Sequence, residues 1–99
     1  MAVGLKMVFD AITLDDYDAA CSALNFPADW PDGLMAHSSA EVDGVLRVID
    51  IWESREKFDA FAQSRLGPAM AEAAGDRAEQ PQISERQLHT FYAHAAVPA

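Results

Sequence analysis

The residues of this chain best suited to chemistry are a histidine and an aspartate set among apolar neighbours. Asp50 lies inside Val45-Leu46-Arg47-Val48-Ile49-Asp50-Ile51-Trp52, and His37 stands between Ala36 and Ser38. A carboxylate among aliphatic side chains is costly to bury unless it is paired or protonated. Burial also raises its pKa toward the range that a general base or acid needs. An imidazole can abstract a proton or orient a substrate near neutral pH. On adjacent strands the two would form a base held by an orienting carboxylate, a recurring catalytic arrangement. Each also has a structural reading. Asp50 can accept a hydrogen bond across a dimer or from a neighbouring strand, and His37 can be a buried histidine bonded to backbone or to Asp50.

Side chains alternate along a strand, so Leu46, Val48, Asp50 and Trp52 share one face, and Val45, Arg47, Ile49 and Ile51 the other. Trp52 supplies a flat apolar wall for an aromatic ligand, or it packs in a core. Val48 and Phe9 are the aliphatic and aromatic candidates for the same wall. Trp30, with Phe26, sits in the proline-bearing loop Asn25 to Asp32, where large aromatics cap the edge of a core or a pocket. His89, between Leu88 and Thr90, lines the pocket or lies at a subunit seam or on the surface, and His94 lies in the C-terminal tail. Cys21 and Tyr17 fall on an apolar helical stripe and read as core. Arg47 has the opposite parity to the pocket and is expected to pair with a helix carboxylate. Arg65 is expected to pair with an acidic neighbour.

Six elements are needed to hold these residues. Val3 to Phe9 alternates as a first strand. Thr13 suits a helix N-cap, with Asp15 and Asp16 at the positive end of the helix dipole. Leu14, Tyr17, Cys21 and Leu24 are its stripe. Gly33 to Glu41 is a second strand, and Val42-Asp43-Gly44 is a tight turn, with the Asp-Gly pair that hairpins favour, into Val45 to Trp52. Ser54 caps a second helix whose stripe is Phe58, Phe61, Ala62 and Leu66. Gly67-Pro68 breaks or kinks it, Pro68 opens a further stretch through Ala74, and Gly75 ends that stretch. A last strand is expected over Ile83 to Tyr92, then a loose tail from Ala93 to Ala99. The order is β-α-β-β-α-β. That is an α+β, ferredoxin-like arrangement with a four-stranded antiparallel sheet, in one domain over residues 1–99.

Both faces of the third strand are largely apolar, so both should be buried. Two helices cover only one sheet face. The face carrying Asp50 and Trp52 is therefore expected to be covered by a second copy of the protein or by a ligand. Composition narrows the partners. There are 7 basic and 16 acidic residues, a net charge of −9, so phosphate backbones and anionic membranes are repelled. No apolar run approaches the ~20 residues that span a bilayer. Met1 to Asp10 lacks the features of a signal peptide, and a cytoplasmic protein is expected. No glycine-rich nucleotide loop, GxSxG elbow or CxxC pair occurs, and the three histidines are far apart. Nucleotide cofactors and tightly held metals are not expected.

The pattern D-x-W-E-S at Asp50 to Ser54, a helix with Phe58 and Phe61, and then Arg65-Leu66-Gly67-Pro68 resembles the dimeric α/β-barrel proteins. Within them it is similar to the antibiotic-biosynthesis-monooxygenase-like group, many of them small bacterial proteins. The resemblance implies two subunits whose sheets pair face to face into a barrel, with a pocket between each sheet and its helices or in the barrel interior. It also implies that Trp52 lines the site, as a Trp does in several oxygenases of the group. Activities of the group include cofactor-independent oxygenation of aromatic polyketides, quinol oxygenation, isomerisation and haem degradation. The haem degraders use an Asn on the first strand and a His on the second helix. Here Val3 to Asp10 has no Asn, and Ser54 to Ala74 has no His. The expectation is a homodimer with a pocket for a small apolar or aromatic molecule. It acts as a cofactor-free monooxygenase-like, cyclase-like or isomerase-like enzyme, with His37 or Asp50 removing a proton. A non-catalytic dimer that binds a small ligand, or serves as a structural partner, is the alternative.

Overall fold

A computed structural model describes residues 2–94. The elements run β1 (Val3–Phe9), α1 (Leu14–Leu24), β2 (Leu34–Val42), β3 (Val45–Trp52), α2 (Arg55–Phe61), a π-helical turn (Ala62–Leu66), α3 (Gly67–Ala74) and β4 (Gln82–Gln87). The sheet is antiparallel, in the order β2-β3-β1-β4. This is the expected ferredoxin-like α+β fold.

Local chemistry sets most boundaries. Thr13 and Asp16 form a reciprocal capping box, each side chain accepting from the other's backbone N–H, at 3.0 and 2.9 Å. Asn25 ends α1 in the left-handed conformation, φ 53°. Ser54 caps α2 through the Lys57 N–H. In the β2–β3 turn Asp43 and Gly44 have φ of 52° and 79°. Two successive positive φ values make the primed hairpin turn, whose twist matches its strands.

The helical run from Arg55 to Ala74 does not break at Gly67-Pro68; it widens just before them. Pro68 has no N–H to give the preceding turn, and its ring crowds the carbonyl four residues back. The Gly67 N–H instead reaches the Ala62 carbonyl, one residue beyond the α-helical partner. The last strand stops at Gln87 rather than Tyr92. It pairs only with β1, and β1 begins at Val3. The Leu88 N–H to Ala2 carbonyl bond is the last rung, so the chain beyond has no strand beside it. The expected tail lies partly outside the described residues.

The helices pack on one face of the sheet. That face carries Val3, Leu5, Met7 and Phe9 of β1 and Leu46, Val48, Asp50 and Trp52 of β3, all buried. Trp52 is 1% exposed and Asp50 4% exposed within the single chain. This corrects the expectation that a second copy or a ligand must cover the Asp50 face. The chain's own helices cover it, and the opposite face is bare, with Ile49 55% exposed. Parity separates the two faces but does not say which one receives the helices. The apolar stripe of the helical run Arg55 to Ala74 (Phe58, Phe61, Leu66, Met70) lines a cavity together with Trp52. Truncating Trp52, one of the largest fully buried side chains, would cost about 3–5 kcal/mol.

Candidate functional site

The β2–β3 register decides the site. Counting back from the turn, Val42 faces Val45 and His37 faces Asp50. A bulge then inserts Met35 between the Leu34–Trp52 and Ala36–Ile51 pairs. Strict alternation outward from buried Leu34 would send His37 to the bare face. The extra residue reverses the parity and puts His37 under the helices beside Asp50.

The two side chains touch, with His37 Nδ1 2.6 Å from Asp50 Oδ1. On the other side of the ring, His37 Nε2 lies 2.6 Å from the Tyr17 hydroxyl of α1. The Trp52 indole N–H donates to Asp50 Oδ2 at 3.2 Å. The chain of partners assigns the protons. An ionised carboxylate only accepts, so His37 Nδ1 carries the proton it donates. Nε2 of the neutral ring is then the acceptor, and the Tyr17 O–H donates to it. Burial pushes the Tyr17 hydroxyl up to about 12, which keeps it protonated and donating. The Tyr17 and His37 rings lie within 4° of parallel, consistent with an in-plane hydrogen bond, and the Phe26 ring meets His37 edge-on at 4.9 Å.

These groups border an apolar cavity of about 60 Å³ between the sheet and the helices. Phe9, Val48, Trp52, His37 and Asp50 all line it. A water needs roughly 10–15 Å³ of such volume, and a hole of ~150 Å³ admits a benzene ring. The cavity therefore holds a small group as it stands, and is smaller than an aromatic ring requires. Phe9, Phe58, Leu66 and Met70 also wall a wider groove of about 550 Å³ outside it, below α2 and α3.

Two other candidates lie elsewhere. Trp30 is 46% exposed, donates its indole N–H to the Leu34 carbonyl at 2.6 Å, and stacks on Phe26. It braces the loop behind a lining residue and does not line the cavity itself. His89 follows the end of β4 and is exposed, away from the cavity, because no strand continues to carry it inward. His94 is exposed as well. Tyr17, read from the sequence as core, is a direct partner of His37. Its place on the same stripe as Cys21 and Leu24, facing the sheet, was the available signal. Cys21 lines the cavity, and burial pushes its thiol up, away from a reactive thiolate.

The two arginine expectations divide. Arg65 pairs with Asp29 at 2.9 Å, as expected. Arg47 makes no ion pair with a helix, because the helices lie on the other face; its Nε is buried without a hydrogen-bond partner among the described residues. No group of three or more potential metal ligands occurs among the described residues. None of the described helices is long and apolar enough to cross a membrane.

The chain matches no protein-family model and no curated protein. Its fold does recur in solved structures. A protein of unknown function from Nitrosomonas europaea is 20% identical, with a TM-score of 0.69 over 96% of each chain. A "putative antibiotic biosynthesis monooxygenase" from Caulobacter crescentus is 12% identical, with a TM-score of 0.68 over 90% of this chain and 91% of that one. Rv0793 from Mycobacterium tuberculosis is 16% identical, with a TM-score of 0.63 over 94% of this chain and all of the other. The chain therefore shares its ferredoxin-like α+β fold with these solved structures. At these identities the likeness is one of fold.

Proposed function

We propose that this protein is a cofactor-independent enzyme that removes a proton from a small aromatic or apolar substrate bound between sheet and helices. The observation that carries the reading is the continuous chain Tyr17–His37–Asp50–Trp52 in an otherwise apolar cavity. His37 is the base through Nε2. Asp50 fixes its tautomer and stabilises the imidazolium that forms. Trp52 holds Asp50 in place, and with Phe9 and Val48 it shapes the wall. A substrate's acidic proton reaches Nε2 by displacing the Tyr17 hydroxyl or by passing through it. In an oxygenase outcome the resulting carbanion meets dioxygen. An activated methylene then becomes a carbonyl, one oxygen atom stays in the product and the other leaves as water. The substrate supplies all the electrons, so no separate reductant is required. An isomerase or cyclase outcome uses the same first step and returns the proton. The fold shared with proteins described as monooxygenases supports the first outcome.

Two observations favour the alternative, a non-catalytic ligand-binding dimer. Nε2 is already occupied by Tyr17 and the cavity is small. In either reading a second copy covers the bare sheet face, giving a homodimer. The test is oxygen uptake and ultraviolet absorbance with hydroxylated aromatic ketones that carry an activated methylene, without added flavin or metal. Turnover that falls by about a thousandfold or more in His37→Ala and Asp50→Asn supports the enzyme. Binding that survives in those variants, with no turnover in the parent protein, leaves the binding reading.

A further inference from the structure

The base and the space around it do not match in size. His37 borders a cavity of about 60 Å³, well below the roughly 300–1,000 Å³ of a small-molecule site. The groove beyond Phe9, Phe58, Leu66 and Met70 has about 550 Å³, within that range. Those four side chains line both spaces, so they are the partition between them. Two of them can yield. Phe9 and Phe58 are rigid rings buried in the core, whereas Leu66 is half-buried and Met70 is an unbranched, adaptable side chain. Leu66 also closes the π-helical turn Ala62–Leu66, and such turns are frequent at functional sites. Gly67 permits the turn: a Cβ there would stand 3.1 Å from the Ala62 carbonyl oxygen that the Gly67 N–H reaches.

The groove has an apolar floor and a polar rim. Ala62, Pro81 and Ile83 continue the floor from the partition, and Arg55, Asp59, Gln63, Glu79 and Gln80 form the rim. The charges of the rim already have partners. Arg55 donates to Asp59 at 2.9 Å and to Glu85 at 2.7 Å, with its guanidinium over the Phe58 ring. Glu79 accepts the Ala11 N–H at 2.7 Å. Arg55 is the one cation among the described lining residues, and Asp59, Glu79 and Glu85 outnumber it. An anion in the groove therefore finds no free cation and meets net negative charge at close range. Gln63 and Gln80 are exposed, and their side-chain amides make no hydrogen bond among the described residues. Each offers both donors and an acceptor. We propose that the groove binds the body of the substrate, an uncharged molecule with an apolar underside and carbonyl or hydroxyl groups for Gln63 and Gln80, and that Leu66 and Met70 admit only its reactive end to the cavity. This rests on the function proposed above and adds where the substrate lies, what charge it has and what limits its entry. The small cavity then suffices, because it receives only the carbon that gives up its proton.

Calorimetric titration of the full chain with methyl naphthyl ketone and with the naphthoate of the same ring position tests this. The two differ by a methyl group in place of a charged oxygen. The ketone is expected to bind in the micromolar range, and the naphthoate about tenfold more weakly or worse. In the double variant Gln63→Lys/Gln80→Lys the naphthoate should tighten by about tenfold. Ala62 lines the groove and not the cavity, so Ala62→Trp should weaken the ketone by about tenfold or more. Should Ala62→Trp fail to fold by circular dichroism, Gln63→Trp on the exposed rim takes its place with the same expectation. In the parent the ketone should also shift the NMR signals of the His37 ring. Leu66→Phe thickens the partition, and there binding should persist without that shift. A parent protein that binds neither compound, or both equally, overturns the proposal. Ketone binding untouched by the groove-filling variant, or naphthoate binding untouched by the two lysines, also overturns it. A His37 shift that persists in Leu66→Phe overturns the gate. None of these readings uses turnover, so a ketone that binds as expected in a protein without any activity upholds the groove and removes the enzyme reading instead.

Discussion

Asp16 and Asp50 are both buried carboxylates, and they are held in opposite ways. Asp16, on α1, accepts from the Thr13 N–H and from both terminal nitrogens of Arg77. Arg77 is a permanent cation, and its hydrogen bonds hold the Asp16 carboxyl well below the usual carboxylate range. That aspartate has one state at working pH and serves the helix start. Asp50 faces His37, a partner whose charge can change, and its other oxygen takes the Trp52 indole N–H. A fixed cation makes a buried carboxylate structural. A titratable partner facing an apolar cavity gives it the means to take part in proton transfer.

The comparison can be broken by changing one member at a time. Asp50→Asn should have the largest effect, a loss of turnover of about a thousandfold to ten-thousandfold, because an amide no longer stabilises the imidazolium or enforces its tautomer. The fold should survive, and a thermal melt beside the rate assay separates the two. Trp52→Phe keeps a ring but removes the N–H that steadies Asp50, and should lower turnover about tenfold, with a smaller change in ligand affinity. Asp16→Asn should show the reverse signature. Its Tm should fall by several degrees while turnover stays within about threefold, since the Asp16 side-chain half of the capping box and the Arg77 pair are weakened and Asp16 does not line the cavity.

The pH dependence sharpens the same contrast. The folded-state pKa of Asp16 is lowered, so the unfolded chain binds its proton first. The stability it contributes is complete above the ordinary value of 3.8 and is lost as pH falls through the lowered one. The Tm gap between the parent and Asp16→Asn should begin to narrow below about pH 4 and close only as pH reaches the lowered value. Tyr17 gives the smallest effect, at the other end of the scale. Its folded-state value of about 12 exceeds the ordinary 10.0, so above pH 10 the unfolded chain releases a proton that the native chain keeps. Stability should decline between those values, and Tyr17→Phe should flatten that part of the curve. An unchanged alkaline slope in the variant would remove Tyr17 from its buried position.

Much of the frame was legible because its signals are local. The Thr13 and Ser54 caps, the Asp43-Gly44 turn and the alternation of Val3 to Phe9 need only near neighbours in sequence. The His37–Asp50 contact was semi-legible. A two-residue turn after Val42 fixes the ladder, and counting outward pairs His37 with Asp50. The bulge at Met35, which has no sequence mark, makes that count disagree with the alternation read from Leu34. The end of β4 at Gln87 was hidden because a strand ends where its partner ends, and its partner β1 is at the far end of the chain.

By itself, then, the sequence determined the element order, the turn that sets the register, the apolar stripes of the helices and the odd polar pair among aliphatic residues. Local hydrogen bonding and periodicity are written in consecutive residues. Only the tertiary structure decided which sheet face the helices cover, that Tyr17 completes the His37 chain, and that Leu66 and Met70 stand between the cavity and the groove. Those outcomes depend on residues far apart in sequence meeting across strands and layers, and burial and charge balance are properties of that meeting.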